Sequence, residues 1–388
     1  MGVAQRAPIS YPETTSPQEP MSIFSTDLVE IGDYSSRPKA TNMSIRKLGR
    51  IRLVTALIAA ATTVLLTGCV GGAATAPGDT GTTTLHLVGY AVPKEANNAI
   101  QKKFAETPEG KDVTWEESYG ASGDQSRAVV NGLKADYVNF SLEGDVTRLV
   151  EAGLVDENWK SGPTKGVVSD SAVVIVVQKG NPLGIKDWSD LTKPGVKIVT
   201  PNPASSGSAR WNILAAYQQV IAQGGTEAEA KAYLTEFFNN IAALPGSGRD
   251  ATNTFLQGAA NVLISYENEA ILARQSGEDF DYVLPDATIK IENPGAVLKD
   301  ANPKAKAYLD FVLSPAGQEE FVKKGFRPVI ADTPIGEVAG ANDPSKPYPV
   351  PPKLFTISDL GGWDAVNKKF FEEGGLVPEI QKATGRSQ

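Results

Sequence analysis

The chain has 388 residues, with 37 lysines and arginines against 45 aspartates and glutamates, and a formal net charge of −8. Residues 1–68 hold seven basic and five acidic residues, so the rest of the chain carries −10. No basic run provides the positive footprint that nucleic-acid binding requires. One histidine and one cysteine exclude the usual zinc sites and leave little material for nucleophilic catalysis. We therefore expect no nucleic-acid partner, no metal, no cofactor and no enzymatic activity.

The N-terminal segment has the features of a bacterial lipoprotein leader in the expected order. Basic residues follow Met43, an apolar run covers residues 53–68, and Leu66-Thr67-Gly68-Cys69 resembles the motif at which lipoproteins are cleaved and acylated. The apolar run is shorter than the roughly 20 residues of a spanning helix. An uncleaved anchor or an ordinary signal peptide would also place the rest of the chain outside the cytoplasm. We predict that residues 1–68 are an N-terminal extension and a lipoprotein signal peptide, and that Cys69 is the lipid attachment site. Translation would start at Met1 or at Met43.

The region after Cys69 is predicted to be a tethered body of two lobes. Residues 69–82 are small, polar and rich in glycine, which is typical of a flexible tether. From Thr83, strands and helices alternate as in an α/β fold, and the apolar run at residues 171–180 predicts a buried strand that begins a second lobe. The predicted boundaries are lobe 1 at 83–170, lobe 2 at 171–264, a return to lobe 1 at 265–340, and C-terminal helices that brace both lobes at 341–388.

Three predicted strand-to-helix junctions combine glycine with hydroxyl residues. They are SYGASGDQSR at residues 118–127, NPASSGSAR at 202–210 and PGSGRDATN at 245–253. Glycine allows backbone amides to approach a ligand closely, and unpaired amides at a helix N-terminus present the positive end of the helix dipole. One such loop is more often a simple helix cap. Three at the strand ends where α/β folds bind ligands predict a shared oxyanion pocket.

A serine hydrolase is the competing class of protein. It would need a Gly-x-Ser-x-Gly elbow and a histidine base. None of Ser122, Ser206 and Ser247 has glycine on both sides at that spacing, and the single histidine, His86, lies on the first predicted strand. The sequence therefore favours a binding protein over an enzyme.

The junction motifs resemble those of the sulfate-binding proteins that deliver substrate to bacterial ABC importers, and the resemblance covers residues 84–383. NPASSGSARWN is close to the family signature Asn-Pro-Lys-Ser-Ser-Gly-Gly-Ala-Arg-Trp-Asn, YGASGDQ is close to Gly-Gly-Ser-Gly-Lys-Gln, and TNTF, ENEA, KGNP and LFTI followed by GGW support the match. The resemblance implies a type II periplasmic-binding-protein fold. In that α/β fold each lobe is a mostly parallel sheet flanked by helices, and a two-strand hinge joins the lobes around the ligand.

The resemblance also implies a set of ligand-binding groups. They are the backbone amides of Ala91, Ser122, Gly207, Ser208 and Gly248, the hydroxyl of Ser206 and the side chain of Tyr266. The chain departs from the family pattern at four positions: Ala91 often corresponds to aspartate, Ala204 to lysine, Ser208 to glycine and Tyr266 to tryptophan. A phenol both donates and accepts hydrogen bonds. Tyr266 therefore leaves thiosulfate, phosphate and molybdate open as alternatives to sulfate.

The remaining expectations concern the basic residues near the pocket and the partners. Arg210 and Arg249 are expected to pair with carboxylates or brace loops rather than to contact the anion. The resemblance implies a lipid-anchored, monomeric binding protein on the outer face of the bacterial cell membrane, periplasmic or at the cell surface. Its partners would be sulfate or thiosulfate and the permease subunits of an ABC importer.

Overall fold

The computed structural model describes residues 81–387, and the predicted leader, Cys69 and most of the tether lie outside this range. The strands are β1 (Thr83–Tyr90), β2 (Val113–Gly120), β3 (Tyr137–Asn139), β4 (Val167–Gln178), β5 (Ile198–Val199), β6 (Ile241–Ala243), β7 (Val262–Tyr266), β8 (Phe280–Val283), β9 (Ala287–Val297) and β10 (Lys353–Phe355). The helices are α1 (Lys94–Phe104), α2 (Ser122–Val130), α3 (Glu143–Glu151), α4 (Gly207–Ala222), α5 (Glu227–Asn239), α6 (Gly248–Leu256), α7 (Glu267–Gln275), α8 (Pro303–Val312), α9 (Pro315–Lys323), α10 (Gly362–Val366) and α11 (Leu376–Thr384).

Two lobes share one continuous run of paired strands, in the order β2-β1-β3-β9-β4-β7-β5-β6. Lobe 1 is built on parallel β2, β1 and β3 with the end of β9 antiparallel to β3. Lobe 2 is built on parallel β6, β5 and β7, with β4 antiparallel to β7 and to β8. Between the lobes, Ser169–Ala172 of β4 pairs antiparallel with Lys290–Asn293 of β9. The predicted α/β fold with a two-strand hinge is confirmed.

The apolar run predicted as a buried strand forms β4. Ten of its twelve residues are buried, because helices cover the faces of this sheet and leave no side of the strand in water. The prediction placed the return to lobe 1 near Ser265. In the structure, pairing within lobe 2 continues through β7 and β8 as far as Val283, and the chain crosses back along β9.

The C-terminal segment packs on lobe 2. Trp363 of α10 meets Trp211 of α4 edge to face, with ring centroids 4.9 Å apart, and Phe370 meets Tyr217 in the same way at 4.8 Å. These contacts bury aromatic surface against α4, which is the helix that begins at Gly207. A brace between both lobes stays a prediction. Within residues 81–387 no helix is both long and apolar enough to span a bilayer.

Candidate anion-binding site

The two lobes touch directly across the cleft between them. The Gly123 amide at the start of α2 donates to the Ser205 carbonyl over 3.1 Å, and Trp211 Nε1 donates to the Ser141 carbonyl over 3.0 Å. Gly123 and Ser141 belong to lobe 1, and Ser205 and Trp211 to lobe 2. The cleft is therefore closed in this structure, and the loops predicted to form a pocket meet at its centre.

The N-terminus of α4 provides donors that its own helix does not use. Ser206 is the N-cap residue and is 3% exposed, yet its hydroxyl makes no capping bond to the helix. The first amides of a helix have no intrahelical acceptor. Gly207 and Ser208 occupy these positions. The Ser206 hydroxyl and two amides are therefore available to a buried anion.

Gly207 is required by its contact with the opposite lobe. A Cβ at this position would lie 2.5 Å from Ser141 Oγ and 2.8 Å from Leu142 Cγ, which is closer than atoms in van der Waals contact can come. The backbone of α4 thus approaches lobe 1 as closely as only glycine allows. The sequence predicted a close approach of this backbone to a ligand, which stays a prediction; the approach that the structure shows is to protein atoms of lobe 1.

The N-terminus of α6 lies against that of α4. Ser247 caps α6 by accepting the Asp250 amide over 3.2 Å. A Cβ on Gly248 would lie 2.8 Å from Ser208 Oγ and 3.2 Å from Val92 Cγ2. The amide of Gly248 therefore begins its helix beside Ser208, as an oxyanion pocket shared by the two loops requires.

Ser122 and Ala91 are both at the cleft, but their groups are not equally available. The Ser122 hydroxyl donates to Asp145 over 2.6 Å and accepts the Ser141 amide over 2.9 Å, so the backbone amide is the group left for a ligand. The Ala91 amide donates to the Gly120 carbonyl over 2.9 Å and extends the pairing of β1 with β2. A bond from Ala91 to an anion would have to be shared with that carbonyl.

Tyr266 ends β7 and reaches across the cleft to lobe 1. Its hydroxyl lies 2.7 Å from Ser141 Oγ. Burial raises the pKa of Tyr266 well above its usual value, against the opposing effect of hydrogen bonds with Ser141, Ser208 and Asn293. The phenol is therefore neutral at physiological pH, with one hydrogen to donate and two lone pairs to accept.

Ser141 is a residue that sequence reasoning missed. Besides its contacts with Gly207 and Tyr266, its carbonyl accepts Asn293 Nδ2 over 3.2 Å and its amide is held by Ser122. The available signal was its place between β3 and α3, which is another strand-to-helix junction. This junction has one serine and one glycine, Gly144, three residues apart, so the denser Gly/Ser pattern of the other three loops did not single it out.

Arg210 and Arg249 are both engaged by other groups of the protein. Arg249 forms two bonds with the buried carboxylate of Glu269, at 2.5 and 3.0 Å, and donates to the Val92 carbonyl over 3.2 Å. Arg210 donates to Asn367 Oδ1 over 3.0 Å and stacks on the Phe371 ring with 4.8 Å between its guanidinium carbon and the ring centroid. Neither guanidinium is therefore needed to ligate an anion, because the oriented N–H dipoles at the helix N-termini can supply positive potential at the pocket.

The remaining chemical groups of interest in the described part of the chain are metal-ligating side chains and the single histidine. Residues 81–387 contain no group of three histidine, cysteine, aspartate or glutamate side chains placed to hold a metal ion. On β1, His86 Nδ1 lies 2.8 Å from the Asp136 carboxylate, and the His86 backbone amide donates to the same carboxylate over 2.8 Å. His86 thus has local partners within lobe 1.

Two α/β lobes joined by crossing strands, with helix N-termini and hydroxyls facing each other in the cleft, define a two-lobed solute-binding protein. The chain belongs to the family of bacterial extracellular solute-binding proteins, which it matches over residues 85–327. It is 41% identical over 342 residues to the sulfate-binding protein of Synechococcus elongatus, covering 85% of this chain and 96% of that one. A thiosulfate-binding protein of Pseudomonas aeruginosa is 34% identical over 298 residues, covering 74% and 87%.

A solved structure agrees with this assignment. The sulfate-binding protein SubI of Mycobacterium tuberculosis superimposes with a TM-score of 0.70 at 43% identity, covering 75% of this chain and all of that chain. The resemblance to sulfate-binding proteins and the predicted type II periplasmic-binding-protein fold are both confirmed.

Proposed function

We propose that this protein captures sulfate between its lobes and delivers it to the permease subunits of an ABC importer. The observation that carries the proposal is the meeting of the N-termini of α2, α4 and α6 beside Ser206, whose hydroxyl makes no capping bond. The names of the relatives support sulfate over other oxyanions, because those named for sulfate are more similar than those named for thiosulfate.

A pocket of N–H and O–H donors suits a doubly charged anion that has only acceptors. The proposed donors are the backbone amides of Ser122, Gly207, Ser208 and Gly248, the Ser206 hydroxyl and the Tyr266 hydroxyl, with the Ala91 amide as a shared seventh. Hydrogen bonds to a charged group contribute about 1.5–3 kcal/mol each, so six give about 9–18 kcal/mol before dehydration and closure are subtracted. Micromolar binding needs only about 8 kcal/mol. No ligating cation is required.

The proposed role in transport rests on the two-strand hinge. Opening about the crossing segments of β4 and β9 would separate the donors on α4 and α6 from those on α2, since these belong to different lobes. The ligand would then be released to the permease. We further propose that the protein acts as a monomer, has no catalytic activity, and is held at the outer face of the membrane by a lipid on Cys69.

Thiosulfate is the second candidate, with phosphate and molybdate behind it. The observation in its favour is Tyr266, where sulfate-binding proteins have tryptophan according to the resemblance. An indole can only donate, whereas a phenol can also accept. The Tyr266 hydroxyl could therefore form a hydrogen bond with a substituted or hydrogen-bearing oxyanion that an indole could not form.

The test is calorimetric titration of the purified protein, produced without residues 1–68, against sulfate, thiosulfate, phosphate and molybdate. We expect sulfate to bind most tightly. Ser206→Ala removes one charge-assisted hydrogen bond and should weaken sulfate binding about 10- to 150-fold. Ser276→Ala is the matched control, because that hydroxyl bonds to the Leu272 carbonyl at the far end of α7. Equal sulfate affinity in wild type and Ser206→Ala would show that the anion binds elsewhere.

A further inference from the structure

A pair of buried hydroxyls joins the two lobes at the cleft. Ser141 follows β3 in lobe 1 and Tyr266 ends β7 in lobe 2, and their side-chain oxygens are 2.7 Å apart. Both residues are buried, with at most 1% of their surface exposed. Because either oxygen can be the donor, the direction of this hydrogen bond is not imposed by the chemistry of the two groups.

The pair borders directly on the proposed donors. Ser141 Oγ lies 2.5 Å from where a Cβ on Gly207 would be, and its amide is bonded to the Ser122 hydroxyl. Tyr266 also lies near Ser208, which itself lies against Gly248. An anion bound to the first amides of α4 would therefore be next to both hydroxyls.

The positions of the two oxygens are fixed while their hydrogens remain free to turn. The Ser141 carbonyl accepts Trp211 Nε1 at 3.0 Å and Asn293 Nδ2 at 3.2 Å, so its backbone is held from two sides. Tyr266 packs at 6.4 Å from the Tyr90 ring, whose hydroxyl donates to Asn293 over 2.7 Å. Reversing the bond between the pair requires rotation of hydroxyl hydrogens only.

Two hydroxyls that share one hydrogen bond always leave one hydrogen and some lone pairs for a third group. When Ser141 donates to Tyr266, the Tyr266 hydrogen points to the ligand and satisfies an anionic oxygen. When Tyr266 donates to Ser141, a Tyr266 lone pair can accept a hydrogen carried by the ligand. Ser141 supports the second arrangement because its oxygen, 2.7 Å from the Tyr266 oxygen, receives the Tyr266 hydrogen.

We propose that the Ser141–Tyr266 pair is a reversible hydrogen-bonding element that lets the cleft bind hydrogen-bearing tetrahedral oxyanions, such as hydrogen phosphate, as well as sulfate. This inference rests on the proposed function, since it concerns the selectivity of the same site. In a binding site that contains only hydrogen-bond donors, the hydroxyl hydrogen of the ligand would face another hydrogen. That mismatch costs about 5- to 150-fold in affinity, and the pair removes it.

The test compares dissociation constants for sulfate and hydrogen phosphate by calorimetry, at a pH well above the second ionisation of phosphate. Tyr266→Trp supplies a donor that cannot accept, and Ser141→Ala removes the acceptor for the Tyr266 hydrogen. In both variants the ratio of the hydrogen phosphate dissociation constant to the sulfate dissociation constant should rise about 5- to 150-fold. Tyr266→Phe removes the donor and acceptor together, so it should weaken both anions and change their ratio little.

Tyr308→Phe is the matched control, because Tyr308 is a fully buried tyrosine in lobe 1 whose hydroxyl has no partner in residues 81–387. It should leave both constants unchanged. An unchanged ratio in both Tyr266→Trp and Ser141→Ala would overturn the inference, as would wild-type protein that binds sulfate but not hydrogen phosphate. Wild-type protein that binds no sulfate would instead overturn the proposed function. Circular dichroism of each variant checks that it is folded.

Discussion

Gly207 offers a direct test of whether lobe closure creates the binding site. Replacing it with alanine adds one methyl group at the tightest point between the lobes, where a Cβ would lie 2.5 Å from Ser141 Oγ, 2.7 Å from Ser141 Cβ and 2.8 Å from Leu142 Cγ. These atoms all belong to lobe 1, while Gly207 begins a helix of lobe 2. The methyl group should therefore oppose closure without disturbing the interior of either lobe.

The size of the effect follows from overpacking. One extra methyl group in a well-packed region costs about 1–3 kcal/mol. Because this cost falls on the closed form alone, the sulfate dissociation constant of Gly207→Ala should rise about 5- to 150-fold. In the open form alanine is a better helix residue than glycine by up to about 1 kcal/mol. The unfolding temperature of the ligand-free protein should therefore change little.

Calorimetry would give the affinity, and small-angle scattering with and without saturating sulfate would report closure. Gly246→Ala is the matched control in the neighbouring loop, because the nearest atom to its Cβ, Asp250 Oδ2, is 4.0 Å away. We expect Gly246→Ala to bind and close like wild type. If Gly207→Ala binds sulfate with wild-type affinity and closes to the same radius of gyration, the link between the Gly207–Ser141 contact and binding is refuted.

Three further predictions concern stability. The Glu267 carboxylate is 1% exposed and accepts two hydrogen bonds from Arg327. Arg327→Met leaves this buried charge without its partner and should lower the unfolding free energy, measured by urea titration, by about 3–5 kcal/mol. Burial raises the pKa of Asp170, on the hinge strand β4, from an ordinary 3.8 to about 6. Between pH 3.8 and about 6 the Asp170 carboxyl is therefore protonated in the native state and ionised in the unfolded state. The unfolding free energy consequently falls as the pH rises through this range. Asp170→Asn should remove about 3 kcal/mol of that fall in denaturation measured across this pH range. Trp363→Ala should cost about 3–5 kcal/mol in thermal unfolding, because it empties the space against Trp211.

A control substitution of the same kind at an exposed position accompanies each of the three stability predictions. Arg127→Met removes an exposed arginine that pairs with the exposed Asp124, Asp156→Asn neutralises an exposed aspartate, and Val350→Ala trims a side chain that is 76% exposed. Each should change the unfolding free energy by no more than about 0.5 kcal/mol. Equal losses in a control and its test variant, or an unaltered pH profile in Asp170→Asn, would contradict the corresponding argument.

Local patterns in the sequence were enough to predict the α/β architecture and the positions of the three glycine-containing loops. The alternation of strands and helices predicted an α/β fold, and the apolar run at residues 171–180 predicted a strand covered on both faces, which is the lobe 2 part of β4. The glycine-containing junctions lie at the starts of α2, α4 and α6. These features are readable because helix caps, glycine turns and burial periodicity each depend on a few neighbouring residues.

The sequence by itself therefore determined the α/β architecture and the positions of the three loops, since both arise from local chain geometry, and its motifs determined the family. Only the tertiary structure decided which groups are occupied: the Ser122 hydroxyl is taken by Asp145, the Ala91 amide by Gly120, and Tyr266 meets Ser141 from the other lobe. Each of these partners is chosen by contacts between distant parts of the chain. A residue such as Ser141, with no glycine beside it, gains its place at the centre of the cleft only when the lobes come together.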